Sequence, residues 1–145
     1  MVKNSFRKPI VLVFSILLIT GVLLAQGCAG ELNGTSAQII KFVTPQQAFQ
    51  LIQENQNNPD FIIIDDRPKD QFDSGHIENA LHIIFSSEQL KDDLNKLDKS
   101  KKYLVYCRTG CGATSGTMRD LRFQEVYEIS GGFTAWKSQG LPIVK

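Results

Sequence analysis

At 145 residues, with 42% hydrophobic and 21% charged side chains, the chain has the make-up of one globular domain and of neither a disordered nor a fibrous protein. Its formal charge is +1, and three of its basic residues, Lys3, Arg7 and Lys8, fall within the first eight positions. Without them 13 basic side chains face 15 acidic ones, a net −2, which leaves no electrostatic footprint for nucleic acid.

The N-terminal segment reads as an export signal and not as part of the fold. Its basic start precedes an apolar run from Ile10 to Leu24 that is too short to cross a bilayer comfortably. The run ends in Leu24-Ala25-Gln26-Gly27-Cys28. A small residue just before a cysteine, after a basic and then an apolar stretch, resembles the lipobox of bacterial lipoproteins, with Ala25 where leucine is usual. The resemblance implies that residues 1–27 are removed and that Cys28 carries the lipid. It also implies an exported protein held on a membrane of the cell envelope or periplasm by its acyl chains. Residues 28–38, mostly Gly, Asn, Thr, Ser and other small or polar types, are expected to form a flexible tether. The folded domain is expected over residues 39–145.

Within that domain Ile39–Val43 reads as a strand, and Thr44 with Pro45 as the cap and first position of a helix. Ala48, Phe49, Leu51 and Ile52 give this helix its apolar stripe, and residues 55–59 end it. The apolar run Phe61–Asp65 suits a parallel strand buried on both faces. A short helical turn follows over Lys69–Ser74, and a strand is expected over Ala80–Phe85. Ser86 or Ser87 is expected to cap a helix over Glu88–Leu97, with Leu90, Leu94 and Leu97 at helical spacing. Next come a strand over Lys102–Tyr106, a helix over Thr114–Leu121, a strand over Glu125–Ile129 and a helix over Phe133–Gln139, stopped by Gly140-Leu141-Pro142. Alternating strands and helices predict an α/β fold: a doubly wound parallel sheet of about five strands with helices on both faces.

The chemistry concentrates in Tyr106-Cys107-Arg108-Thr109-Gly110-Cys111-Gly112, where a strand runs into a glycine-containing loop with a thiol at its start. Ligands bind beyond the carboxyl ends of parallel strands. Gly110 and Gly112 allow the loop amides to turn inward as an anion-binding nest, supported by the helix that follows. Arg108 and those amides are expected to favour the thiolate, which makes Cys107 a candidate nucleophile.

These motifs resemble those of the rhodanese-like sulfurtransferases. Asp65-Asp66-Arg67, Phe72, Gly75-His76-Ile77 and Ala80 look like that family's N-terminal signature. Tyr106 to Gly110 look like its active loop. Gly131-Gly132, Ala135-Trp136, Gly140 and Pro142 look like its C-terminal signature. The resemblance implies a single-domain enzyme of the thiosulfate sulfurtransferase type. Cys107 would take sulfane sulfur from a donor such as thiosulfate or a persulfide, and pass it to cyanide or a thiol. Arg108, Thr109, Gly110, Cys111 and Gly112 would form the substrate-binding loop, with no metal and no organic cofactor. A monomer is expected. Gly112 stands where the family usually has an arginine, five residues after the nucleophile. The missing arginine also argues against a phosphatase of the Cys-x5-Arg kind, whose loop needs that side chain for the phosphoryl oxygens.

Asp65 and Arg67 are expected to form a structural ion pair below the loop, His76 to pack and hydrogen-bond, and Trp136 to lie in the core. Two histidines and the two cysteines outside the lipobox are spaced too far apart for a metal site. Cys111 stays open between a small loop-filler and a resolving thiol. Two other functions also stay open: a redox protein using Cys107 and Cys111, and a binding module without activity.

Overall fold

The computed structural model describes residues 37–84 and 89–145. The expected signal segment, Cys28 and most of the expected tether lie outside the described residues. Gln38, expected as the end of the tether, is already held by the fold: its side-chain amide donates to the Arg119 and Phe123 carbonyls at 2.9 and 2.7 Å.

Strands and helices alternate as β1 Ile39–Val43, α1 Pro45–Glu54, β2 Phe61–Asp65, α2 Lys69–Ser74, β3 Ala80–His82, α3 Leu90–Asn95, β4 Lys102–Tyr106, α4 Ala113–Asp120, β5 Glu125–Ile129 and α5 Gly132–Ser138. The strands form one parallel sheet in the order β1-β5-β4-β2-β3. Thr44 caps α1 in a reciprocal arrangement: its hydroxyl accepts from the Gln47 amide, and the Gln47 side chain accepts from the Thr44 amide.

Side-chain alternation along the strands builds two cores, one on each face of the sheet. Ile63, Leu104, Tyr106 and Ile129 pack with Ala48 of α1 and with Phe133 and Trp136 of α5. Ile64, Tyr103, Val105 and Val126 pack with Leu90 and Leu94 of α3 and Met118 of α4. Trp136 is 1% exposed, and its indole N–H donates to the Pro142 carbonyl at 2.9 Å. Each large apolar side chain buried in this way contributes about 1.5–3 kcal/mol.

Four elements differ from the expectation. β3 stops at His82, because its partner β2 ends at Asp65 and only the Ile83 amide still finds a β2 carbonyl, that of Asp65. Phe85, the expected end of that strand, lies outside the described residues. So do Ser86, Ser87 and Glu88; the described helix α3 covers Leu90–Asn95, and Gln89 precedes it without a side-chain cap. α4 and α5 each begin one residue earlier than expected, behind Gly112 and Gly131 in left-handed conformations.

The start of α5 grips the loop after β4. The amides of Phe133 and Thr134 donate to the carbonyls of Cys107 and Arg108 at 2.9 and 3.0 Å. The two backbones touch through glycines. Gly132 has φ +56, and a Cβ there would lie 2.7 Å from the carbonyl carbon of Arg108 and from the Gly110 nitrogen. Both obstacles are backbone atoms that cannot rotate away. Gly132→Ala should therefore cost about 3 kcal/mol or more. Urea titration would read this as a lower midpoint at unchanged slope. A midpoint equal to that of the parent protein would show that the loops can part freely.

Candidate active site

The parallel register places Asp65 opposite Tyr106 and Val105 opposite Glu128, so the carboxyl ends of β2, β4 and β5 share one edge. The chain reverses its direction of travel about β2, with β3 on one side of it and β4 on the other. The crevice between β2 and β4 is therefore the switch point at which such sheets bind ligands. An open cavity of about 330 Å³ lies there, lined by Asp66, Arg67, Pro68 and Gln71 from the β2 side and by Cys107, Arg108, Thr109 and Cys111 from the β4 side. A larger recess of about 550 Å³, between α1 and the C-terminal segment, is lined by residues such as Phe49, Asn57 and Trp136 and holds no cysteine or histidine.

Cys107 is half-buried at the head of the loop. Its sulfur accepts from the Gly110 and Cys111 amides at 2.9 and 3.2 Å. The sulfur of Cys111, an exposed residue, lies 3.5 Å away. The cradle is smaller than the expected span of Arg108 to Gly112. The Gly112 amide points down to the Glu128 carboxylate at 2.7 Å and is not free for a ligand. The Ser115 hydroxyl donates to the other oxygen of Glu128. A buried carboxylate from β5 thus occupies the N-terminus of α4.

Charge under the loop is arranged in two layers. The adjacent carboxylates Asp65 and Asp66 diverge to opposite faces of the sheet. Asp65 pairs with Arg67 at 2.6 Å, and Arg67 also donates to the Gly75 carbonyl at 2.7 Å. Its guanidinium carbon sits 3.6 Å from the Phe133 ring centroid. Both partners are buried, so Arg67 ties β2, α2 and α5 together and is not free to meet a ligand. Asp66 turns to α4, where the Thr114 hydroxyl donates to one of its oxygens; the other oxygen is buried without a partner among the described residues.

Burial pushes the Asp66 carboxyl up to about 6, with the neighbouring charges of Glu128 and Asp65 adding to the shift. Burial also pushes the Cys107 thiol above its ordinary range. The backbone N–H groups of Cys111 and Thr109 pull it down, but the Cys111 thiol and the Asp66 charge work against them. The expected thiolate at neutral pH is thus corrected: desolvation outweighs the amides, and Arg108, exposed at the rim, is not among the groups that lower the thiol.

His76 stacks on Phe72 with ring centroids 3.8 Å apart, and its Nδ1 lies 3.0 Å from the Phe72 carbonyl oxygen. Its backbone bridges Val144 in both directions. It lines no part of the cavity. Sequence reasoning passed over Asp66, Thr114, Ser115, Glu128 and His82, whose Nε2 meets the Arg67 carbonyl at 2.7 Å. One signal was available: an acidic residue inside the otherwise apolar run Val126-Tyr127-Glu128-Ile129.

Asp66 makes stability depend on pH with a definite sign. Its folded value of about 6 lies above the ordinary 3.8, so the folded state holds the extra proton between these limits. Its contribution is fully present below the unfolded value and is lost as pH rises through the folded one. Asp66→Asn keeps an acceptor for Thr114 and removes the charge. It should raise stability by about 1–3 kcal/mol near pH ~7.5 and change it little near pH ~3.5. Denaturant titrations at the two pH values check this, and equal effects at both would contradict it.

Comparison with known proteins agrees with this geometry. Residues 48–139 match the model of the rhodanese-like domain. The thiosulfate sulfurtransferase GlpE of Coxiella burnetii is 35% identical over 100 residues, covering 68% of this chain and 88% of that protein. The tRNA uridine(34) hydroxylase of Erwinia tasmaniensis is 31% identical over 99 residues, which cover 60% of this chain but only 28% of that protein. Among solved structures, the polysulfide-sulfur transferase homodimer of Wolinella succinogenes superposes with a TM-score of 0.57 at 31% identity, covering 74% of this chain and 78% of that one. With its five-stranded parallel sheet and a cysteine heading the loop at the switch point, the chain belongs to the rhodanese-like domain family.

Proposed function

We propose that the protein is a sulfurtransferase that carries sulfane sulfur as a persulfide on Cys107, with thiosulfate as a donor. The observation that carries this reading is the Cys107 sulfur, held by two loop amides beside an open cavity at the sheet's switch point. The name of the Coxiella relative supports thiosulfate as the first donor to test.

The geometry suits each step. The Cys107 thiolate attacks the outer sulfur of thiosulfate, a sulfur–sulfur bond forms, and sulfite leaves with the electron pair of the broken bond. The Gly110 and Cys111 amides stabilise negative charge on Cys107 without reorganising. Arg67 is committed to Asp65, so positive charge for the anionic donor comes from Arg108 at the rim. A thiophile such as cyanide or a thiol then attacks the outer sulfur, and the Cys107 thiolate leaves into the same pair of amides.

Thiosulfate should add one sulfur to the protein by intact-mass measurement, and Cys107→Ser should abolish the gain. Because the thiol is pushed up, the rate of this gain should climb as pH is raised above neutrality. Sulfur retained by Cys107→Ser would move the nucleophile elsewhere, and a rate independent of pH would contradict the protonated resting thiol.

We further propose that the domain is presented on a membrane through lipid on Cys28. The support is the order of basic, apolar and small residues before that cysteine. Among the described residues no helix is long and apolar enough to cross a membrane. In cells fed a labelled fatty acid the protein should take up label, and Cys28→Ser should not. Label retained by the variant would place the lipid on another residue.

A further inference from the structure

The Cys111 thiol has no part in the transfer steps above, yet its sulfur touches the nucleophile. The two sulfurs are 3.5 Å apart in one short loop, and neither forms a disulfide among the described residues. The loop is pinned on both sides of the pair. At its head the Cys107 carbonyl is held by the Phe133 amide, and at its tail the Gly112 amide is held by Glu128. The sulfurs therefore meet at a high effective concentration that diffusion from solution cannot match. Their settings differ: Cys107 is half-buried, whereas Cys111 is exposed and open to an external thiol.

We infer that Cys111 is a resolving thiol, which expels the sulfur carried on Cys107 as hydrosulfide and closes a Cys107–Cys111 disulfide. This gives the protein a dithiol-driven sulfane-sulfur reductase activity beside transfer. The inference rests on the persulfide reading of Cys107. Cys111 loses its proton to solvent, and its thiolate attacks the inner sulfur, the Sγ of Cys107, which is the atom it already touches. The bond between the two cysteine sulfurs forms as the persulfide bond breaks. The outer sulfur leaves into the cavity as hydrosulfide with the electron pair and with the proton it carried. That sulfur is reduced by two electrons, and the two cysteine sulfurs together are oxidised by two. An external dithiol then exchanges with the disulfide, becoming a cyclic disulfide itself and returning both cysteines to thiols. Without a dithiol the loop stays closed after one event, because its nucleophile is masked.

The test uses the full chain and its Cys111→Ser variant, a small replacement at an exposed position. Each is charged with thiosulfate, freed of donor, and followed by non-reducing intact mass and by sulfide assay. The parent protein should lose the added sulfur, end two hydrogens lighter than its reduced form, and release one sulfide per chain. The variant should keep the added sulfur at least about tenfold longer and release none. Equal lifetimes in parent and variant would overturn the inference and leave the persulfide reading standing. So would sulfur found on Cys111 as a persulfide with no disulfide formed. If neither protein gains sulfur while both remain folded by circular dichroism, the persulfide reading falls, and the inference with it.

Discussion

The structure depends on the clasp between the loop after β4 and the start of α5. Two amides of the first turn of α5 take the carbonyls of Cys107 and Arg108. With those carbonyls held outward, the amides that follow, at Gly110 and Cys111, face the Cys107 sulfur. The clasp requires two backbones to touch, which is possible only where a side chain is missing; Gly110 and Gly132 meet that condition with left-handed conformations. Phe133 and Thr134, each 26 residues downstream of the carbonyl it holds, thus shape the nucleophile's surroundings without reaching the cavity.

Beneath the clasp the loop rests on buried carboxylates. Asp65 is neutralised by Arg67, which in turn packs on Phe133 and so joins the floor of the site to the clasp. Glu128 satisfies the start of α4 and anchors the tail of the loop. Asp66 is left with a half-satisfied, partly desolvated carboxyl beside the cavity. Burial above all, with a small addition from the Asp66 charge, pushes the Cys107 thiol up, while the loop amides favour the anion once it forms. The site is thereby poised for reaction with an incoming sulfur donor instead of holding a permanently exposed thiolate, which would be open to oxidation.

Gly112 follows from the same arrangement. The position five residues after the nucleophile carries no cationic side chain, and its amide is turned away from the cavity by Glu128. Phe42 of β1 covers this side of the loop: a Cβ at Gly112 would meet its ring at 3.1 Å. Positive charge at the site is confined to the rim, at Arg108.

Much of the fold was written in local pattern. Continuous apolar runs marked β2 and β4, Thr44 and Pro45 marked the start of α1, and a thiol between a strand and two glycines marked the candidate nucleophile. These features depend on neighbours a few residues away, so the chain alone determined them. The length of β3 did not follow from its own apolar residues, because a strand extends only as far as its partner does. The partners of Asp66 and Glu128 were likewise hidden. Thr114 is 48 residues from Asp66, and Ser115 is 13 from Glu128; only the parallel register and the packing of α4 bring them together. The protonation of Cys107 was decided the same way. The sequence by itself supplied the amides and the arginine that favour a thiolate. Only the tertiary structure decided that burial and the Asp66 carboxylate outweigh them, because desolvation depends on everything packed around the sulfur and not on the residues beside it in the chain.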